Sequence, residues 1–153
     1  MKLDINPPVR LLAAFQDTYP DQTPERIVEA PGRDMWVAAD LSGDHVFTLI
    51  APDFKSHTSF TWQGAKTRRT VLNRPLPSWA RYPAGVILTL GGDGLDTSGV
   101  NAVFVGEEPS GPRYDYAVGM AMAALVHELN GTPYTAESLI EVVDRVRRDY
   151  IES

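Results

Sequence analysis

The side chains of this sequence that could do chemistry are few and scattered. His45, His57 and His127 share no metal-ligand spacing, and His127-Glu128 has no second histidine four residues after the first, so the helical zinc-protease signature is absent. Ser110 lies between Pro109 and Gly111, outside the Gly-x-Ser-x-Gly elbow that a hydrolase nucleophile needs. Gly91-Gly92-Asp93-Gly94 has the composition of a phosphate cradle, but a strand follows it where a helix amino end is required, and it reads as a turn. Arg145, Arg147 and Arg148 form a basic cluster interleaved with Glu141, Asp144 and Asp149, the pattern of a solvated helix face. The remaining candidate is residues 105 to 117, which join a buried strand to a buried helix and carry Asp115 in the first helical turn.

The elements that must position these residues follow from periodicity and turn chemistry. Pro7 and Pro8 start a short helix bearing Leu11, Leu12 and Phe15, which ends before Pro20. Strands are expected at 26–30, 35–39, 46–51 and 58–62, separated by Pro31-Gly32, Ser42-Gly43 and Pro52-Asp53, with a fifth at 69–72. Ser78 caps a helix whose regular part should begin near Pro83, since proline breaks a helix interior. A buried strand at 100–105 leads to a long alanine-rich helix over 112–129, closed by Asn130-Gly131. Thr135 and Ser138 open a last helix carrying Leu139, Val142, Val143 and Val146, which runs to about Tyr150. Strands segregated from helices predict an α+β two-layer sandwich with a mostly antiparallel sheet and helices on one face. The three tryptophans, Trp36, Trp62 and Trp79, are expected in its core.

Composition narrows the class. At 153 residues, with 43% hydrophobic and 22% charged residues, the chain suits one domain spanning 1–153. It has no cysteine, which excludes disulfides and thiolate metal sites and points to a reducing, cytoplasmic compartment. Its longest apolar runs fall short of the roughly 20 residues of a membrane span, and a net charge of −6 disfavours nucleic acid and anionic lipid as partners.

Two segments in order carry a resemblance. The first is Ala30-Pro31-Gly32-Arg33; the second is Trp79-Ala80-Arg81-Tyr82 with Gly85-Val86, followed by a strand, a Pro109-Ser110-Gly111 turn, an alanine-rich helix and Leu129-Asn130-Gly131. Together they resemble the amino-terminal lobe of the galactokinase branch of the GHMP small-molecule kinases. The resemblance implies an α+β lobe related to a ribosomal-protein domain, with ATP and Mg2+ held at a Gly/Ser-rich loop opening the long helix. Free N–H groups and the positive helix end hold phosphate there. It makes Arg33 a catalytic residue, Pro109, Ser110, Gly111 and Arg113 nucleotide-binding residues, and Asp40 and Asp44 sugar ligands; as an alternative, these two are turn-forming aspartates. No metal ligands are assigned.

The chain departs from the family where the chemistry lies. Of the family's Pro-x-Gly-x-Gly-x-Ser-Ser-Ser-Ala, Pro109 and Gly111 remain. Pro112 removes a donor, Tyr114 and Tyr116 add bulk, and Asp115 sets a carboxylate against the helix end, while Arg113 could restore attraction. The family's catalytic aspartate and second lobe lie beyond the last helix seen here. The expected function is therefore a sugar kinase lobe, taking a sugar and ATP, that is incomplete or inactive alone. The alternative is a non-catalytic, pseudokinase-type binding or oligomerisation module, with a second copy or a complementary carboxy-terminal lobe as partner.

Overall fold

The structure is a computed structural model and describes residues 6–152. Helix α1 (Val9–Thr18) precedes strands β1 (Arg26–Glu29), β2 (Met35–Leu41), β3 (Phe47–Ala51) and β4 (Ser56–Phe60), with a 3-10 turn, Pro52–Phe54, between the last two. Helices α2 (Trp62–Thr67) and α3 (Ser78–Gly92) lead to β5 (Val100–Gly106), then α4 (Pro112–Asn130) and α5 (Ala136–Val146), whose end relaxes into a π turn over Arg147–Ile151. The five strands lie in the order β1-β2-β5-β3-β4. All pairs are antiparallel except β3 with β5, so the path from β3 to β5 crosses over the sheet through β4, α2 and α3.

Alternation along the strands decides which residues meet which layer. Met35, Val37 and Ala39 of β2, with Val100, Ala102 and Phe104 of β5, join the main core beneath α3, α4 and α5. Trp36, Ala38, Val103 and Val105 face the other way, against Leu11 and Phe15 of α1. The α+β sandwich is thus as expected, with one addition: α1 covers part of the second sheet face, which is why β2 and β5 are buried on both sides.

The helices pack closely because their contact faces are small. Tyr82 of α3 lies against Gly119 of α4, and alanines 117, 121, 123 and 124 are fully buried. Gly85 of α3 leaves room for Val146 and Tyr150. Thr135 and Ser138 form a reciprocal capping box at the start of α5, and Gly131 closes α4 in the left-handed conformation, both as the sequence suggests. No helix among the described residues is long and apolar enough to cross a membrane.

Three expectations are corrected. Residues 69–72 form no strand: Thr61 caps the short helix α2, Arg68 ends it at positive φ, and 69–75 folds into a tight loop closed by Thr70 N–H to the Arg74 carbonyl (2.8 Å). Pro75, Pro77 and the left-handed Asn73 prevent an extended run there. Trp62, placed at a strand end, instead begins α2. Helix α3 also runs unbroken through Pro83. One N–H bond to the Trp79 carbonyl is lost, but Trp79, Ala80, Tyr82, Pro83 and Ala84 are all buried, and that packing outweighs a penalty of about 3 kcal/mol.

The close approach of α3 to the chain end is testable. Gly85→Val places a side chain on Val146 and Tyr150 and is expected to cost about 1–3 kcal/mol, the usual range for overpacking. Gly92→Ala, into open space on the same helix, is expected to cost nothing. Thermal melts followed by circular dichroism compare the two.

Candidate functional site

The pairing of β2 with β5 puts Met35 opposite Gly106, and so brings the β1–β2 turn beside the loop that leads into α4. The turn is tight: the Arg33 N–H donates to the Ala30 carbonyl (3.1 Å), with Pro31 and Gly32 at its centre and Gly32 at φ +73°. This is the pattern of a type II turn, whose third position favours glycine. The loop is stitched to it on both sides. The Glu107 N–H donates to the Asp34 carbonyl (3.0 Å), and the Asp34 N–H donates to Glu108 Oε2 (2.7 Å). Gly106 is required at the junction, since a Cβ there would fall on the Asp34 carbonyl oxygen.

On the inner side, the Asp53 carboxylate is a hub. It accepts from the Gly106 N–H (3.1 Å) and from the Tyr114 hydroxyl (2.6 Å), and is paired with the Arg10 guanidinium. Arg10 also donates to the Gly106 carbonyl (2.8 Å) and lies 3.3 Å from Glu107. Phe54 packs on the Tyr114 ring at 4.6 Å. Burial, then the bond to Asp53, pushes the Tyr114 phenol far above its ordinary range. Tyr114 is therefore turned into the protein, where it anchors the loop, and is not bulk in the loop mouth as its position in the sequence suggests.

The amino end of α4 is begun by Gly111, at φ +109°, and Pro112. It has no side-chain cap, and Pro112 has no N–H, so the amides of Arg113 and Tyr114 are left without partners among the described residues. Asp115 is half-buried in the first turn of α4, with the Ser78 side chain at the start of α3 near enough to influence its carboxyl. Burial raises the Asp115 carboxyl, while the Ser78 side chain lowers it. Tyr116 lies under the Arg33 guanidinium at 5.0 Å and donates to Asp144 (2.9 Å); burial, then that bond, push its phenol up to about 12. Arg113 is 69% exposed and lies 3.6 Å from Glu108.

The structure thus brings Arg33, Pro109, Ser110, Gly111 and Arg113 to one end of the sheet. Asp40 and Asp44 lie at the other. Asp40 pairs with Asn101 near the start of β5, five residues along β2 from Met35, or roughly 17 Å at the strand rise. Its buried carboxylate accepts from the Glu25 N–H (2.7 Å). Asp44 accepts from the Val46 N–H (2.8 Å) and the Ser42 hydroxyl (2.7 Å), bonds that lower its carboxyl below the usual range. Among the described residues no acidic or imidazole cluster could hold a metal ion.

Sequence reasoning missed Arg10, Asp53 and Glu108. The first two lie 43 residues apart, and only folding joins them. The adjacent pair Glu107-Glu108, placed before a helix, was the visible signal.

No protein-family profile and no curated protein matches the sequence. Solved structures do. Lactococcus lactis galactokinase complexed with galactose superposes at a TM-score of 0.71 with 16% identity, over 94% of this chain and 42% of that one. A mevalonate kinase gives 0.61 with 10% identity, over 79% and 38%, and the Methanococcus jannaschii mevalonate kinase gives 0.57 with 9% identity, over 74% and 36%. The chain spans about two fifths of the length of these kinases.

Two measurements test the loop anchor. Tyr114→Phe is expected to cost about 1–2 kcal/mol in urea unfolding, and Asp53→Ala more, because it strands the Tyr114 hydroxyl and the Gly106 N–H together. The raised Asp115 carboxyl means the native state holds that proton more tightly than the unfolded chain, so its contribution to stability falls as pH rises from about 4. Asp115→Asn is expected to flatten that part of the pH–stability curve. The mixed sheet with its overlying helices is the fold of the amino-terminal lobe of the GHMP kinases, and at these identities the likeness extends to the fold alone.

Proposed function

We propose that this chain is a galactokinase-like sugar kinase lobe that transfers no phosphoryl group by itself and serves as a non-catalytic binding module. The reading rests on the fold together with one observation: the chain's own carboxylates take the hydrogen-bond donors that converge on the loop opening α4. Glu108 holds the Asp34 N–H, Asp53 holds the Gly106 N–H and the Tyr114 hydroxyl, and Asp115 adds a carboxylate in the first helical turn.

A nucleotide's phosphates require a run of free amides and a positive field at a helix start. Here Pro112 supplies no amide, Asp115 sets a carboxylate in the first turn, and the loop leading into it carries Glu107 and Glu108. The donor set does not fit an ATP–Mg2+ phosphate tail, and no catalytic step is assigned through it. Arg33, which the family resemblance makes catalytic, stacks on Tyr116 beside the same helix end and is proposed, with Ser110 and Arg113, as the contact for a less highly charged ligand such as a sugar or a single carboxylate. Asp40 and Asp44 serve turns at the far end of the sheet and are left out of the proposed site.

Calorimetric titration with ATP–Mg2+ and, separately, with galactose tests this reading. The expected result is no saturable binding of ATP–Mg2+ at concentrations up to about 1 mM, the range in which nucleotide kinases are ordinarily saturated. Saturable binding of both ligands would restore the kinase reading and refute the non-catalytic one.

A further inference from the structure

Away from the α4 loop, one edge of the sheet is open. Strand β4 pairs with β3 on one side only, and the phase of its other side is fixed by a single bond, from the Val71 N–H to the Ser59 carbonyl (2.9 Å). Because outward and inward groups alternate along an antiparallel strand, the N–H and C=O of His57 and the N–H of Ser59 also point outward. None of these groups has a partner among the described residues. Val71 already occupies the Ser59 carbonyl, so any segment added here is confined to the His57 side.

The edge runs between two grooves on opposite faces of the sheet, and His57 borders both. One, of about 310 Å³, lies between β4 and the loop of Val71, Leu72 and Arg74. The other, of about 260 Å³, lies between β4 and α1, lined by Ile50, Lys55 and Asp17 among others. A strand lying along β4 would send alternate side chains into the two, which is the arrangement that makes strand addition selective. Val71 and Leu72 are 53% and 75% exposed at the mouth of the first groove. The Thr58 hydroxyl, buried in its wall, has no hydrogen-bond partner among the described residues.

Charge says what would add. Between Asp53 and Asp93 the sequence has no acidic residue, but it has Lys55, Lys66, Arg68, Arg69, Arg74 and Arg81, in a chain that carries −6 overall. This concentration is larger than the Arg145–Arg148 cluster and, unlike it, has no interleaved acids. Lys66 lies over Trp62, Arg68 bonds the Tyr150 carbonyl, and Arg81 bonds the Leu76 carbonyl (3.4 Å). Lys55, Arg69 and Arg74 form no ion pair among the described residues, and Arg74 lines the first groove while Lys55 lines the second opposite Asp17. A basic edge with free backbone donors repels the cationic partner and selects the anionic one.

We propose that the free edge of β4 docks an extended, acidic segment of a partner protein, which adds to the sheet as a sixth strand with its acidic side chains in the Arg74 groove. Neither the galactokinase-like reading nor the α4 loop is needed for this, so the two proposals stand or fall separately.

A short capped peptide alternating glutamate and valine serves as the probe, with a lysine-for-glutamate twin and an acidic version N-methylated on alternate residues as controls. Amide shifts in the isotope-labelled chain report the site. The acidic peptide is expected to saturate shifts centred on His57 and Ser59 and to weaken with added salt, while both control peptides bind no better than background. His57→Pro removes the outward donor but spares the ladder to β3, so it should fold normally and lose about tenfold in affinity. Arg74→Glu should weaken the acidic peptide and favour the lysine twin. Equal binding of the N-methylated or lysine peptide to the native chain overturns the proposal whether or not His57→Pro folds. So does an absence of shifts at about 1 mM peptide. Self-association of the chain that His57→Pro abolishes would make a second copy the occupant and overturn the acidic partner.

Discussion

One carboxylate, that of Asp53, holds the sheet to the start of α4. It reaches the Gly106 N–H, the Tyr114 hydroxyl and the Arg10 guanidinium, and so ties the last residue of the central strand, the first turn of the longest helix and α1 to one 3-10 turn. A carboxylate this enclosed is tolerable only with its oxygens satisfied by donors and a cation, and each of those partners is consequently fixed in place. The Tyr114 ring is drawn inward, Phe54 closes over it, and the loop from Gly106 to Gly111 is left as a short strap between β5 and α4.

The outer side of the strap is governed by the same economy of donors. Glu108 reaches back to the β1–β2 turn, and Asp115 stands in the first turn of α4. Elsewhere a helix start of this kind is an anion site because its amides are unsatisfied and its dipole is uncompensated. In this chain the second condition is weakened by Asp115 in the first turn, and Pro112 takes one amide away, while the Arg113 and Tyr114 amides stay unpaired. The layers of this fold are therefore compatible with the loop proposed to disfavour a triphosphate, since they depend on the apolar faces of β2, β5, α3 and α4 and not on what the loop binds.

The sequence made the layers legible because each was written in local signals. The alternation of Met35, Val37 and Ala39, the capping pair Thr135 and Ser138, and the Asn130-Gly131 stop each specify their element within a few residues. Residues 62–77 misled for the opposite reason. Trp62 and the run Arg69 to Leu72 have strand-forming types, but Arg68 and Asn73 at positive φ and the following prolines decide the path, and those conformations are not encoded by residue type. The Ala30-Pro31-Gly32-Arg33 turn and the α4 loop meet because β2 pairs with β5, which no local signal in the sequence specifies. The joining of Arg10, Asp53 and Tyr114 is equally non-local, since it depends on how α1 crosses the sheet. Asp40 and Arg33 come from one sequence segment, and the seven-residue strand β2 sets them toward opposite ends of the sheet.

The claim on which this account turns is that the carboxylates in and beside the first turn of α4 make its unpaired amides unfavourable to an external phosphate. The most direct measurement is the response of the Arg113 and Tyr114 backbone amide resonances to inorganic pyrophosphate. The account predicts that these amides stay unmoved in the native chain and shift saturably only when Glu108→Gln and Asp115→Asn are combined. A saturable shift at both amides in the unaltered protein would contradict it.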